Sequence, residues 1–412
     1  MAREDAVPGA DAHAVVRLLR APATIRERSA QIFAHILSGR SEHFVADVAQ
    51  LDRVAEFVIE TTRAAYPDLD IPYHSRWRHF EAGGADRWRA ISTSLSDARE
   101  RGRIAYDLVI PSVLLDAGAG PDWRFVEPGG AIYARSEGLA VASFRAFADG
   151  LFSADPSSPW RADGAALASL DSARLAGAFQ VRADNRLAGL DGRAELVRRL
   201  GAAVLARPEI FAGRLGGLFD HLCAQAQGGR LAASAVLGAV LEAFSSIWPG
   251  RIALGGENLG DVWRHAAARG PGASDRLVPF HKLSQWLAYS LVEPLEWAGI
   301  AVHGLDALTG LPEYRNGGLF IDMGALVLRD RRACSLVHAV GSPLVVEWRA
   351  ATVVLLDRVA ERARACLGLD ASALPLAKVL QGGTWAAGRA VARRRRPDGA
   401  PPLVIDSDGT VF

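Results

Sequence analysis

Apolar positions in the first two hundred residues recur mainly at helical spacing, broken by short stretches of Gly, Pro and charge. Ile25, Ile32, Phe33 and Ile36 share one face of such a period, as the buried stripe of a helix does. Thr24 followed by Glu27 reads as a capping box, so a helix is expected to open there and stop near Gly39. After Ser41 the same period continues through Phe44, Val45, Val48, Leu51, Val54, Phe57 and Val58, predicting a second helix that ends before Pro67. A helix capped by Ser136 is expected through Phe147, and another from Gly192 to Leu205, ended by Pro208. Between them, residues 123–133 read as a short hairpin whose turn is Pro128-Gly129-Gly130. The Gly- and Ala-rich 212–232 segment reads as a hinge.

The second half carries stronger stripes. Leu283, Trp286, Leu287, Leu291, Leu295 and Ala298 predict a helix over 281–298, bent at Pro294. Lys282, Gln285 and Tyr289 form a second stripe on it, suited to a polar pocket. A polar loop, Glu313-Tyr314-Arg315-Asn316, precedes an apolar run in which Asp322 is embedded. A lone carboxylate in such a run must find a partner or shift its pKa upward. Glu347 and Arg349 lie two apart in the apolar run 344–356, where a helix would not let them face each other. Each therefore needs a partner elsewhere. Gly382-Gly383-Thr384 reads as a cap before a helix that ends in the run Arg393 to Arg396. These patterns give a mainly α fold, one large helical unit of two lobes with a short β-hairpin. The expected divisions are a disordered N-terminus (1–12), an N-terminal lobe (13–210) and a C-terminal lobe (211–412) carrying most of the site.

Composition narrows the function classes. Of 412 residues, 50% are hydrophobic and 23% charged, and the net charge is +1, so no electrostatic footprint for nucleic acid or a membrane surface is present. No apolar run reaches the length of a membrane span. Cys223, Cys334 and Cys366 are widely spaced, which fits reduced thiols and a cytoplasmic protein. The chain has no HExxH, paired-Cys or His-spacing metal signature, no GxSxG elbow and no dinucleotide fingerprint. No metal and no cofactor is expected.

Lysine is almost absent: of 47 basic residues only Lys282 and Lys378 are lysine. A lysine retained among so many arginines marks a place that needs a compact or neutralisable amine. Lys282 also sits in the densest polar–aromatic stretch, 278–286. The 71–80 segment concentrates Arg76, Arg78, His74, His79 and three aromatic residues in the same way. A pocket built from 255–350 and closed by 71–90 and 381–389 is expected.

Seven strings resemble the uracil-catabolism family of fungi and bacteria, which takes in the fourth protein of the fungal URC pathway and the uracil-regulated protein of fission yeast. They are YHSRWRHFE (73–81), ARSEGLAVASF (134–144), FQVRADNRLAGLDGR (179–193), VPFHKLSQW (278–286), GLPEYRNGGLFID (310–322), GGTWAAGR (382–389) and SDGTVF (407–412). The resemblance implies a step in a route where uracil is opened and trimmed to a ribosylurea. Cleavage of the bond between ribose and urea is then the candidate reaction. The ring-opening enzyme, similar to GTP cyclohydrolase II, is a candidate partner, and a small ribosyl or nucleotide molecule is the implied substrate. A fainter similarity links the chain to queuosine-nucleotide N-glycosidases, α-rich relatives of DNA glycosylases. It rests on Asn185 to Arg193, Gly341-Ser342, Val346-Glu347-Trp348-Arg349 and Phe280-His281-Lys282 with Gln285. Where that family carries an aspartate, this chain has Lys282.

A glycosidase needs a carboxylate for an oxocarbenium-like transition state and an acid for the leaving group. The implied carboxylates are Asp261, Asp322 and Glu347. Lys282 would protonate the departing urea nitrogen or attack C1′ as a free amine. Arg76, Arg78, Arg315 and Arg349 would hold a 5′-phosphate, and Trp77, Trp286 or Trp385 would flank the ureido plane. His281, Gln285, Glu313, Tyr314, Asn316 and Thr384 complete the expected substrate contacts. Two rivals are a hydrolase acting on the opened ring and a non-catalytic nucleotide-binding partner of the ring-opening enzyme.

Overall fold

The computed structural model describes residues 9–116, 118–248 and 250–406. Residues 1–8 of the expected disordered segment and the terminal SDGTVF lie outside them. The fold is mainly α. Its principal helices are α1 (Gly9–Arg20), α2 (Pro22–Leu37), α3 (Leu51–Ala65), α4 (Ala98–Leu114), α5 (Arg135–Ala148), α6 (Leu190–Ala206), α7 (Ala233–Ala243), α8 (Lys282–Trp297), α9 (Tyr314–Asp322), α10 (Pro343–Leu367) and α11 (Trp385–Arg395). Strands are short, pair only in twos among the described residues, and include the expected hairpin, Phe125–Val126 against Ile132–Tyr133. Residues 9–12, expected to be unstructured, form the first turn of α1.

α8 is the central element. It lies against α4 and α7, and every residue from Leu283 to Leu295 is buried. A helix apolar on one face and hydrogen-bonded on the other can be covered all round. Gln285 meets that condition by donating to Phe280 O (3.1 Å) and Thr309 Oγ1 (2.5 Å) and accepting from Thr309 N (2.7 Å). Tyr289 donates its hydroxyl to Thr309 O at 3.0 Å. The second stripe on α8 therefore divides: Gln285 and Tyr289 pin the strap before Leu311, and only Lys282 faces a cavity. Pro294 cannot donate to the carbonyl four residues back. That carbonyl, Ser290 O, accepts the indole N–H of Trp77 instead, at 2.8 Å.

Several local expectations are corrected. The first long helix opens at Pro22, with no side-chain cap, because proline's fixed φ and missing N–H suit the first turn. Thr24 is therefore inside α2 and buried. Phe44–Ala46 is a strand antiparallel to Leu326–Leu328. The Ser41 hydroxyl accepts the N–H groups of His43 and Phe44 (3.0 and 2.9 Å), a local bond that competes with helix, so α-helix resumes only at Leu51, after a 3₁₀ turn at Val48–Gln50. Ser136 lies within α5 and does not cap it. The expected hinge at 212–232 contains a helix, Gly217–Gln225. Gly382-Gly383-Thr384 is not a break: a π-helical turn, Leu380–Thr384, joins the short helix Leu376–Val379 to α11. Such wide turns shift the register of side chains and recur at functional sites.

Candidate functional site

The N-terminus of α8 delivers Lys282 into a chamber of about 100 Å³. Its walls are His74, His79, Asp116, Ser136, Trp286, Leu311, Glu313, Tyr314 and Trp385. Several of them are held by bonds that point away from the chamber. Glu313 is the N-cap of α9, accepting Arg315 N (2.8 Å) and Asn316 N (2.6 Å). Asn316 donates to Leu311 O and accepts from the Thr384 hydroxyl (3.1 and 2.9 Å), tying α9 to the π-turn that presents Trp385. His79 stands edge-on to both Trp286 and Trp385, with ring centroids 5.8 and 6.3 Å away.

Asp116 follows the end of α4. Arg76, fully buried, pairs with it at 3.0 Å and also donates to Ser112 Oγ (2.8 Å) and Ser136 O (3.3 Å). Arg193 donates to Leu115 O, and to Gly118 O at 2.8 Å. Arg76 thus holds the Asp116 carboxylate, and Arg193 holds the backbone on either side of it. Sequence reasoning missed Asp116, and the only sign of it was a lone acid between an apolar helix and a Gly-rich loop.

Burial dominates the electrostatics. It pushes the Lys282 amine below its usual range, opposed first by Glu313 and then by Asp116. Burial pushes the Glu313 carboxyl up, opposed first by Lys282. His74 is pushed down by burial to about 4 and His79 to about 3, so both are neutral at ordinary pH. His74 Nδ1 lies 3.0 Å from Gln381 Oε1. No hydrogen bond or ion pair engages the Lys282 amine among the described residues. Arg76 Nη2, His79 Nδ1 and Trp286 Nε1 are buried with no hydrogen-bond partner. Open valences of this kind are scarce in protein interiors; His79 and Trp286 present theirs in the chamber wall, and Arg76 lies behind it, paired with Asp116.

The carboxylates expected beside Lys282 are placed differently. Asp261 accepts both Arg349 nitrogens (2.7 Å each), Trp263 Nε1 (2.7 Å) and the backbone N–H of Lys282 (3.0 Å). It caps α8 and orients Lys282 without lining the chamber, and Arg349 holds its carboxyl well below the usual range against burial. Asp322 is locked by two bonds from Arg396 (2.8 and 2.5 Å) and faces a different cavity. Glu347 accepts from Ser41 Oγ at 2.5 Å and lies 3.3 Å from His265 Nε2. Glu347 and Arg349 thus each find the separate partner their spacing demands.

Other expected contacts also point elsewhere. His281 Nε2 lies 3.0 Å from Leu19 O. Arg315 covers Tyr314 and donates to Gly399 O (3.1 Å), and Trp77 is buried among Phe80, Trp88 and Trp297. Gln285, Asn316 and Thr384 position the walls without lining them. Lys282, Trp286, Glu313, Tyr314 and Trp385 do line the chamber, and Arg78 lines an outer cavity beside it.

A family sequence model described as a protein of unknown function, DUF1688, matches residues 18–412. The chain belongs to this family. It is 39% identical over 405 residues to Protein urg3 of Schizosaccharomyces pombe, covering 94% of the chain and 96% of that protein. It is 37% identical over 436 residues to Uracil catabolism protein 4 of Lachancea kluyveri, covering 96% and 99%. The six resembling strings within the described residues converge on the chamber. They supply His74 and His79; Ser136; Arg193, which holds the Asp116 loop; Lys282 and Trp286; Leu311, Glu313 and Tyr314; and Trp385. No helix among the described residues is long and apolar enough to cross a membrane.

Proposed function

We propose that the protein acts in uracil catabolism as an N-glycosidase, hydrolysing the bond between ribose and urea in a ribosylurea. Full-length similarity to a protein named Uracil catabolism protein 4 supports the process. The observation that carries the reaction is the partnerless Lys282 amine, enclosed with Glu313 and Asp116 between aromatic walls. A chamber of about 100 Å³ suits a small planar ureido group lying against Trp286 or Trp385.

In the reaction the C1′–N bond breaks and its electron pair goes to the urea nitrogen. The Lys282 ammonium donates a proton to that nitrogen, and its depressed pKa brings it nearer the working pH, where a general acid is most effective. Asp116, fixed by Arg76 at 3.0 Å, supplies negative charge toward the oxocarbenium-like sugar. Water adds at C1′ and gives its proton to Glu313, whose raised pKa suits it as a base. Proton exchange between Glu313 and Lys282 restores the starting state.

The test is to incubate purified protein with ribosylurea and with its 5′-phosphate. Equimolar urea and free sugar are expected from at least one of them. Release of ammonia without sugar would replace this reading with hydrolysis of the ureido group, and no consumption of either compound would end it.

A further inference from the structure

His74, His79 and Trp385 form a wall that the chamber shares with an outer cavity of about 760 Å³. Arg78, Arg135, Arg389 and Arg393 line that cavity, against the two carboxylates of Glu137 and Asp398. Trp385, Arg389 and Arg393 follow one another at four-residue spacing on one face of α11, a row that leads outward from the chamber wall. Arg135 joins them from the start of α5.

The existing partners leave this charge only partly answered. Arg78 is tied to Glu293 (2.9 Å) and Glu81 (3.3 Å). Arg389 pairs with Glu137 at 3.2 Å, and its Nε is buried with no hydrogen-bond partner. Arg135 and Arg393 are exposed, and neither has an ion pair among the described residues. Like charges one turn apart on a helix face repel, so the row costs stability unless an anion sits between its members. Planar, forked guanidinium groups match the oxygens of a phosphate monoester.

We propose that the outer cavity is a phosphate subsite and that the protein's substrate is a sugar phosphate. Arg135, Arg389 and Arg393 would grip the phosphate while the other end of the molecule reaches the chamber. This rests on the glycosidase reading for the identity of the buried end, and on the arginine cavity alone for the phosphate. It also moves the phosphate contacts away from Arg76, Arg315 and Arg349, which the fold uses to hold Asp116, cover Tyr314 and lock Asp261.

The experiment is calorimetric titration of the full-length protein with ribose 5-phosphate, ribose and inorganic phosphate, with no turnover required. Ribose 5-phosphate is expected to bind, more weakly as salt rises, while ribose gives no detectable heat and inorganic phosphate competes weakly. Arg135→Gln and Arg393→Gln alter exposed side chains and should not lower the melting temperature. Combined, they should weaken ribose 5-phosphate binding by about tenfold or more. Equal binding of ribose and its phosphate, no binding of either, inorganic phosphate binding as tightly as the ester, or an unaffected double variant would each overturn the subsite. Phosphate-dependent binding without urea release would instead overturn the glycosidase reading and leave the subsite standing.

Discussion

The side chain of Lys282 and its backbone N–H enter two opposite environments. The N–H meets Asp261, whose carboxylate accepts four hydrogen bonds, two of them from Arg349. The side chain enters a chamber where, among the described residues, His79 Nδ1 and Trp286 Nε1 lack hydrogen-bond partners and no bond engages the amine itself. Both regions are buried and charged, and both are built from residues that stand out in the sequence. What separates them is the accounting of donors and acceptors: a filled carboxylate holds a fold together, whereas open valences are available to a ligand.

The largest effect that would sharpen this contrast is on the filled side. Removing one partner of a buried ion pair leaves the other charge uncompensated, at about 3–5 kcal/mol. Asp261→Ala should therefore lower the unfolding free energy by that amount in urea titration, because the buried Arg349 guanidinium loses its two bonds to the carboxylate. A variant as stable as wild type would remove the structural role assigned to this pair.

A pH effect of roughly 3 kcal/mol comes next, from the chamber side. His74 has a folded-state pKa pushed down from 6.5 to about 4, so below about pH 6.5 the unfolded chain binds a proton that the folded chain refuses. Stability should fall as pH drops from 6.5 toward 4, by roughly 3 kcal/mol for this residue, and His79 acts in the same direction. Denaturant midpoints at pH 7 and pH 4.5 measure it, and His74→Gln should flatten the difference. Equal midpoints in the wild type would show that the histidines are solvated and the chamber open.

The smallest effect belongs to Asp322. Its carboxylate is buried and takes two bonds from a partly exposed Arg396, and hydrogen bonds to a charged group contribute about 1.5–3 kcal/mol. Asp322→Asn, which keeps one acceptor oxygen, should lower stability by no more than this and leave turnover unchanged; a loss of turnover at unchanged stability would return Asp322 to the list of reacting groups.

How much was legible follows the same division. Helix positions in the second half, the short hairpin, and the chamber segments around His74, Lys282, Glu313 and Trp385 stood out by periodicity and unusual local chemistry, whereas those around Asp116 and Ser136 did not. Phe44–Ala46 was misread because three apolar residues fit a helix stripe as well as a strand, and the Ser41 turn decides between them. Asp322 and Glu347 each announced a need for a partner, but the partners lie 74 and 306 residues away, and Asp261 finds its own 88 residues away. Spacing along a chain does not carry that information. Asp116 gave no more signal than a helix-terminal acid, because the arginines that make it notable arrive from residues 76 and 193.

The central claim, that the chamber around Lys282 performs the chemistry, is tested most directly with Lys282→Met. That change removes the amine and keeps the length of the side chain, so folding should be preserved, with an unchanged melting curve. Urea release from ribosylurea or its 5′-phosphate should fall by about 10²–10⁴-fold, the usual contribution of a positioned acid. A Lys282→Met protein that melts normally and releases urea at the wild-type rate would contradict the account.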